Sequence, residues 1–226
     1  MRTFAITAAL GTALAGFTHS VTAQLDGGFN ISRFAGGDAT KDAATRLHMG
    51  ASIPFFRAGP VSIVTEIYYA QRGGDRLLNT PGADFDDPLA SFNVNYVEVP
   101  IILRVAFNLP GPFSSYVGGG PTYAWQLTCG FSFVNLALPG GTGDQSCEEN
   151  QFQDATTALA KADRGAIGNA GLTVTMGKLG TVTLDLRVVH GLARVVEDPT
   201  SPFVHNQAVS LTLGYSLLSG DLIHIK

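Results

Sequence analysis

The chain has 226 residues, of which 45% are hydrophobic and 14% charged, and its formal net charge is −4. These values exclude a disordered chain, which needs more charge, and disfavour nucleic-acid binding, because 14 Lys and Arg do not exceed 18 Asp and Glu. The charged fraction is also well below the roughly 25% of soluble domains. The composition therefore favours a protein that contacts an apolar medium as well as water.

The first predicted element is an apolar run over residues 4–17. Together with the small residues that end at Ala23, this run is typical of a secretory signal peptide, residues 1–23. A short core helix is the alternative. Residues 24–226 then form the mature domain, which we expect to fold in an oxidising compartment. Later apolar runs are too short for a transmembrane helix, which needs about 20 apolar residues.

The mature domain alternates apolar and polar residues with a period of two, as β-strands do. Near the C-terminus, for example, Val209, Leu211 and Leu213 share one face, and Ser210 and Thr212 share the other. The same pattern predicts eight strands, over residues 25–31, 47–55, 61–70, 96–107, 114–129, 171–176, 181–188 and 208–217.

Short and long connections alternate between these strands. Brief turns rich in Gly and Pro follow residues 56, 107 and 176. An up-and-down barrel would place these turns and both termini at one end and all the long connections at the other. We therefore predict an all-β fold, an eight-stranded antiparallel up-and-down transmembrane β-barrel. The long connections are expected over residues 34–45, 73–91, 130–163 and 193–204.

The charges indicate which strand face points outward. The apolar face of the predicted strands carries no charge, whereas the opposite face carries a few. A face with so few charges suits a crowded lumen better than a surface in water. A soluble exported barrel of the lipocalin type, which would bury the apolar face and bind a hydrophobic ligand, is the alternative. The inward-facing charges are Asp26, Glu66, Glu98, Arg104, Asp185 and Arg187.

Several segments in a fixed order carry a family resemblance. Residues 27–32 read Gly-Gly-Phe-Asn-Ile-Ser, residues 63–73 read Ile-Val-Thr-Glu-Ile-Tyr-Tyr-Ala-Gln-Arg-Gly, and residues 95–104 read Asn-Tyr-Val-Glu-Val-Pro-Ile-Ile-Leu-Arg. With Val-Gly-Gly-Gly-Pro at 117–121 and Leu-Gly-Tyr at 213–215, the chain resembles the porin family of small outer-membrane β-barrel proteins, which are OmpA- and OmpW-like.

The resemblance implies a multi-pass barrel in the cell outer membrane of a Gram-negative-type bacterium, inserted by the barrel-assembly machinery. The chain departs from the family at residues 219–226, which follow the last predicted strand where such barrels commonly end on an aromatic residue. The departure bears on the assembly signal and leaves the barrel prediction unchanged.

A polar network in the lumen is the first candidate site. Eight strands leave an interior just wide enough for side chains, so charges there must be paired. We expect ion pairs that plug the lumen and a structural or interaction role at the envelope. A narrow passive porin-like channel for water, small solutes or ions is the alternative. The expected network consists of Glu66, Glu98, Arg104, Asp185 and Arg187 with Tyr68 and Tyr96.

Arginines near the long-connection end form a second candidate site. A guanidinium binds phosphate through two hydrogen bonds, so these residues predict contacts with outer-membrane lipids, lipopolysaccharide among them. Charges that simply flank apolar strands are the alternative. The long connections themselves carry thirteen acidic and four basic residues. The candidate rim consists of Arg33, Arg46, Arg72, Arg164 and Arg194.

The remaining reactive residues are few. Cys129 and Cys147 are the two cysteines of an exported chain, and this favours a disulfide across the longest connection. His48, His190 and His205 lie near the same end, but no serine is tied to them by a motif. Two thiols and scattered histidines are also a poor metal set. We therefore expect no catalytic activity, no metal and no cofactor.

Overall fold

Among the residues that it describes, the computed structural model contains nine strands and one 3-10 turn, Gly177–Leu179. It describes residues 23–36, 42–75, 90–135, 141–146, 160–195 and 203–217. The strands are β1 (Gln24–Ala35), β2 (Asp42–Ala58), β3 (Val61–Asp75), β4 (Ala90–Asn108), β5 (Phe113–Asn135), β6 (Gly141–Ser146), β7 (Ala162–Thr175), β8 (Thr181–Gly191) and β9 (His205–Ser216).

Eight of the strands close into a barrel. Each pairs antiparallel with its neighbours in chain order, and β1 pairs with β9 from Leu25 opposite Tyr215 to Ala35 opposite His205. The ninth strand, β6, pairs with residues 130–135 of β5, beyond the stretch of β5 that pairs with β7. The predicted eight-stranded antiparallel barrel is therefore confirmed, and β6 extends one side of it.

The strands extend beyond their predicted limits. The predicted connection 130–163 contains the end of β5 and all of β6. Likewise β1 runs to Ala35 and β2 begins at Asp42, both inside the predicted connection 34–45. Backbone pairing needs a neighbouring strand but no apolar alternation, so it continues where the sequence pattern stops. The same reason carries β3 to Asp75, which pairs with Ser91.

The short turns lie together at one end of the barrel, as predicted. Gly59 precedes Pro60 with φ 58°, Gly111 adopts φ 76° between β4 and β5, and Gly177 adopts φ 57° before β8. A positive φ at these positions favours glycine, which explains its use in the turns. We call this the short-turn end and the opposite end the long-loop end.

The outer wall is an apolar band. On β4, Ile101, Leu103 and Phe107 all point outward and are about half exposed. The outward residues of β4 run from Val97 to Phe107. That length is about 33 Å along a strand and about 25 Å at the usual tilt, which is the height of the apolar band of an outer-membrane barrel.

Aromatic side chains lie near both margins of this band. Tyr123 and Trp125 pack at a ring distance of 4.5 Å toward the long-loop end. Phe55, Phe113 and Tyr215 are exposed toward the short-turn end. Such girdles are typical of barrels that meet the two membrane interfaces. Among the described residues, no helix has the length and apolar character needed to span a membrane.

Candidate functional site

The barrel interior collects the acidic side chains. Five acidic residues point into the lumen, and each residue is at most 6% exposed. Burial of a carboxylate is costly unless a cation and hydrogen-bond donors accompany it. The structure supplies both, in two clusters stacked along the barrel axis. The buried acids are Asp26, Glu66, Glu98, Asp163 and Asp185.

The cluster nearer the short-turn end is centred on Arg187 of β8, which is 2% exposed. Its Nη1 lies 2.9 Å from Glu66 Oε2 on β3, and its Nη2 lies 2.8 Å from Asp185 Oδ1 on its own strand. Arg104 of β4 also pairs with Glu66. A continuous chain of four charges therefore joins three strands across the lumen.

Tyrosine hydroxyls and an amide complete this cluster. Tyr68 donates to Asp26 Oδ2 at 3.0 Å and accepts from Arg187 Nη2 at 3.1 Å. Tyr116 and Asn169 both donate to Asp185. We call the set the lower cluster: Asp26, Glu66, Tyr68, Arg104, Tyr116, Asn169, Asp185 and Arg187.

Two inward glycines make room for the lower cluster. A Cβ at Gly171 would lie 2.3 Å from Cζ of Tyr116, and one at Gly118 would lie 2.7 Å from Asn169 Oδ1. No larger residue fits at either position without displacing those side chains. The glycine run of β5, which weakens the strand pattern in the sequence, thus has a packing function inside the barrel.

The second cluster lies toward the long-loop end. Arg72 of β3 pairs with Glu98 of β4, and its Nη1 lies 3.6 Å from Asp163 Oδ2 on β7. Thr122 donates to Glu98 Oε1 at 2.7 Å, and Asn206 donates to Asp163 Oδ2 at the same distance. We call the set the upper cluster: Arg72, Tyr96, Glu98, Thr122, Asp163 and Asn206.

The expectation that Arg72 lies on the lipid-facing rim is wrong. Its side chain is 3% exposed and belongs to the upper cluster. Because β3 continues to Asp75, Arg72 keeps the inward parity of Ala70. Arg46 likewise shares the inward parity of Ala44 and His48 on β2, and its Nε is buried. Continuing the inward and outward alternation just past the predicted ends of these two strands would have placed both arginines inside.

The structure brings the seven predicted lumenal residues to the interior but divides them between two clusters. Five fall in the lower cluster, and Tyr96 and Glu98 fall in the upper one. Sequence reasoning missed Asp163 because it assigned that residue to a connection. It missed Tyr116 because the surrounding Ser and Gly residues obscure the parity of β5.

Apolar side chains fill the interior between and beyond the clusters. One group lies between the two clusters on the β4 to β9 side, and a second group covers the upper cluster at the long-loop end. Below the lower cluster lies a cavity of about 350 Å³, which we call the vestibule. Serine and threonine hydroxyls, Arg57 and Arg104 line it. The two apolar groups include Ile102, Ile167, Val189 and Ala208, and Phe34, Val94, Ala124, Cys129 and Val195.

The other three predicted rim arginines do face outward at the long-loop end. Arg33 donates from Nε and Nη2 to Gln207 Oε1 at 3.1 and 3.0 Å, and the Arg194 guanidinium lies 5.5 Å from the ring centre of Phe203. Arg164 is exposed on β7. All exposed charges that the structure describes are basic. The others are Lys161 at the same end and Arg57 and Lys178 at the short-turn end.

The three histidines do not converge on one site. His48 stacks on Tyr68 in the lumen at 4.3 Å, whereas His190 and His205 lie 4.7 Å apart on the outer wall. Gln207 contacts both outer histidines, and an amide is no nucleophile. Within the described ranges, no group of three or more His, Cys, Asp or Glu side chains could hold a metal ion.

The cysteine pairing remains a prediction. Cys129 is buried in β5 at 8% exposure, and Cys147 lies outside the described residues. The last described pair of β5 and β6 is Gly130 opposite Ser146. Residues 1–22 and 218–226, which bear on the signal peptide and the assembly signal, also lie outside the described part of the chain.

Comparisons with known proteins agree with the fold. A family model described as outer membrane protein beta-barrel domain matches residues 9–197, which confirms the resemblance drawn from the sequence segments. No curated protein sequence matches the chain.

The chain is also similar to several solved structures at low sequence identity. The chain is similar to Neisserial surface protein A, with 12% identity over 86% of this chain and 96% of that chain and a TM-score of 0.45. The attachment invasion locus protein Ail of Yersinia pestis shares 13% identity over 88% and 100%, with a TM-score of 0.44. OprG from Pseudomonas aeruginosa shares 10% identity over 88% and 97%, also with a TM-score of 0.44.

Proposed function

The chain belongs to the outer membrane protein β-barrel domain family, and we propose that within this family it is a plugged barrel with a structural and interaction role at the cell envelope. It is a multi-pass barrel of a Gram-negative-type outer membrane. The barrel would hold the long connections at the outer surface while blocking passage through its interior.

The observation that carries the proposal is the double ion-paired layer in the lumen. Arg187 bridges β8 to β3, and Arg72 bridges β3 to β4 and approaches β7. Apolar side chains such as Ile102 and Val189 occupy the space between the two layers. A solute would have to break buried pairs, and loss of one partner from such a pair costs about 3–5 kcal/mol. The arrangement favours rigidity over transport.

Planar-bilayer recording on refolded protein tests this proposal. We expect no steady open-channel current from the wild type. The matched control is the double variant Arg72→Met/Glu98→Leu, which replaces the upper ion pair with apolar side chains. It should also stay closed if packing closes the lumen as well as charge. Steady currents from the wild type would contradict the plugged lumen.

A narrow path for water, protons or small ions is the second candidate function. Four of the buried lumenal polar atoms that have no hydrogen-bond partner among the described residues lie on four different strands. Unpaired buried polar atoms are costly unless water reaches them. With the vestibule, these atoms favour a polar path along part of the lumen. They are Asn30 Oδ1, His48 Nδ1, Asn169 Oδ1 and Thr212 Oγ1.

The rate of osmotic shrinkage of lipid vesicles separates the two candidate functions. Vesicles that contain the plugged barrel should shrink in hypertonic buffer at the rate of protein-free vesicles. Faster shrinkage without electrical conductance would support a water path. Pyranine inside the same vesicles would report proton entry under an imposed pH gradient.

A further inference from the structure

A groove of about 390 Å³ lies on the outer wall of the barrel, just below the long-loop end. It crosses β2, β1, β9 and β8, on the face that meets the membrane. Its walls combine apolar and polar side chains. The residues that matter here are Ile31, Val188 and Val209, and Arg33, His190 and Gln207.

The strand register arranges these six residues in two rows. Gln207 lies opposite Arg33 on one side and His190 on the other, which makes a polar row across three strands. One step along the same strands, toward the short-turn end, the three apolar residues form a parallel row. Val209 is 44% exposed, and Ile31 and Val188 are each 52% exposed. An amphipathic ligand can therefore contact both rows at once.

The polar row presents donors. Arg33 can only donate, so the oxygen of the Gln207 amide faces Arg33 and the nitrogen faces the histidines. That nitrogen lies 3.4 Å from His190 Nδ1 and 3.3 Å from His205 Nε2. A neutral imidazole that accepts on one nitrogen carries its proton on the other. His190 Nε2 is therefore a donor in the groove, as is Arg33 Nη1.

The surroundings of the row favour an anion. The five acidic side chains that the structure places are all buried in the lumen, so none of them faces the groove. A phosphate oxygen matches the donors of the polar row, because guanidinium and imidazole groups both donate to it.

We propose that this groove is a binding site for a phosphorylated lipid of the outer leaflet. The phosphate contacts Arg33 and His190, and an acyl chain lies along Ile31, Val188 and Val209. The proposal rests on the membrane placement of the barrel and is independent of whether the lumen conducts. The three apolar side chains have no role in binding free phosphate, and this selects the lipid over the soluble anion.

Native mass spectrometry of the refolded protein in detergent tests the site with three probes: dioleoyl phosphatidic acid, dioleoyl phosphatidylcholine and inorganic phosphate. We expect phosphatidic acid to bind about tenfold more tightly than phosphatidylcholine, because its phosphomonoester carries more negative charge and no cationic choline opposes the donors. Inorganic phosphate should bind far more weakly still. Equal binding of the two lipids, or equally tight binding of inorganic phosphate, would overturn the proposal.

Variants locate the binding on the groove. Arg33→Gln should weaken phosphatidic acid binding about fivefold, and its matched control Lys178→Gln, an equal charge change at the opposite end, should leave binding unchanged. Gln207→Glu places a carboxylate in the row and should weaken binding at least as much. Val209→Ala should weaken both lipids alike. Folding is checked in each case by heat-modifiable migration, and equal effects of Arg33→Gln and Lys178→Gln would refute the site.

Discussion

The inner and outer faces of the same strands differ in their charged side chains. The inner face carries buried carboxylates paired with guanidinium groups, and the outer face carries exposed basic side chains. Inside, carboxylates such as Glu66 and Asp185 are almost fully buried and bind guanidinium groups. Outside, the exposed charges that the structure describes are all basic and lie near the two ends of the barrel. Residues two positions apart share a solvent, and adjacent residues do not. One chain therefore distributes its charges by the solvent that each face meets.

The inner face should be far more sensitive to loss of a charge than the outer one. Arg187→Met leaves Glu66 and Asp185 buried without their main cation. We expect the free energy of unfolding to fall by about 3–5 kcal/mol. Urea unfolding in lipid vesicles, followed by heat-modifiable migration, measures it. The matched control Arg164→Met on the outer face should change stability by no more than about 0.5 kcal/mol, and equal effects of the two variants would remove the distinction.

A disulfide would extend the comparison to the outer connections. If Cys129 and Cys147 are bonded, thiol labelling of the unfolded protein without reductant should find no free thiol, and with reductant it should find two. Closing a connection of this length stabilises a chain by about 3 kcal/mol in the entropic model. Two free thiols in the unreduced protein would contradict the pairing.

Glycines on the inner and outer faces differ in the space available for a side chain. A Cβ at Gly171 would overlap the ring of Tyr116, whereas one at Gly168, which points outward, has its nearest described neighbour at 4.0 Å. We expect Gly171→Ala to cost about 2 kcal/mol and Gly168→Ala to cost less than about 0.5 kcal/mol. Adding Tyr116→Ser to Gly171→Ala should recover part of the loss if overlap is the cause. The same urea assay compares all three variants.

The outer rim should give the smallest effect on stability. Arg33 is exposed and its partner Gln207 is neutral, so Arg33→Gln should change the free energy of unfolding by less than about 0.5 kcal/mol in detergent. A loss of several kcal/mol would show that Arg33 stabilises the barrel itself. Removal of a charge would then destabilise the barrel at the rim as it does in the lumen.

The alternation of the strands was sufficient to predict much of the interior. It placed Glu66, Glu98 and Arg187 on the inward face, where the barrel buries all three. It misplaced Arg72 because the apolar pattern ends before β3 does. It could not find Asp163, which follows a long stretch without periodicity and enters the lumen only because β7 begins at Ala162.

The partners of these charges depend on the closed barrel. Arg187 and Glu66 are 121 positions apart in the chain and meet because β8 and β3 face each other across the lumen. The groove near Arg33 likewise forms where the first strand meets the last. Side-chain direction along a strand is a local property with a period of two, and the amino-acid order determines it. Closure and stagger are non-local, so only the tertiary structure decided which charges pair and which side chains form the groove.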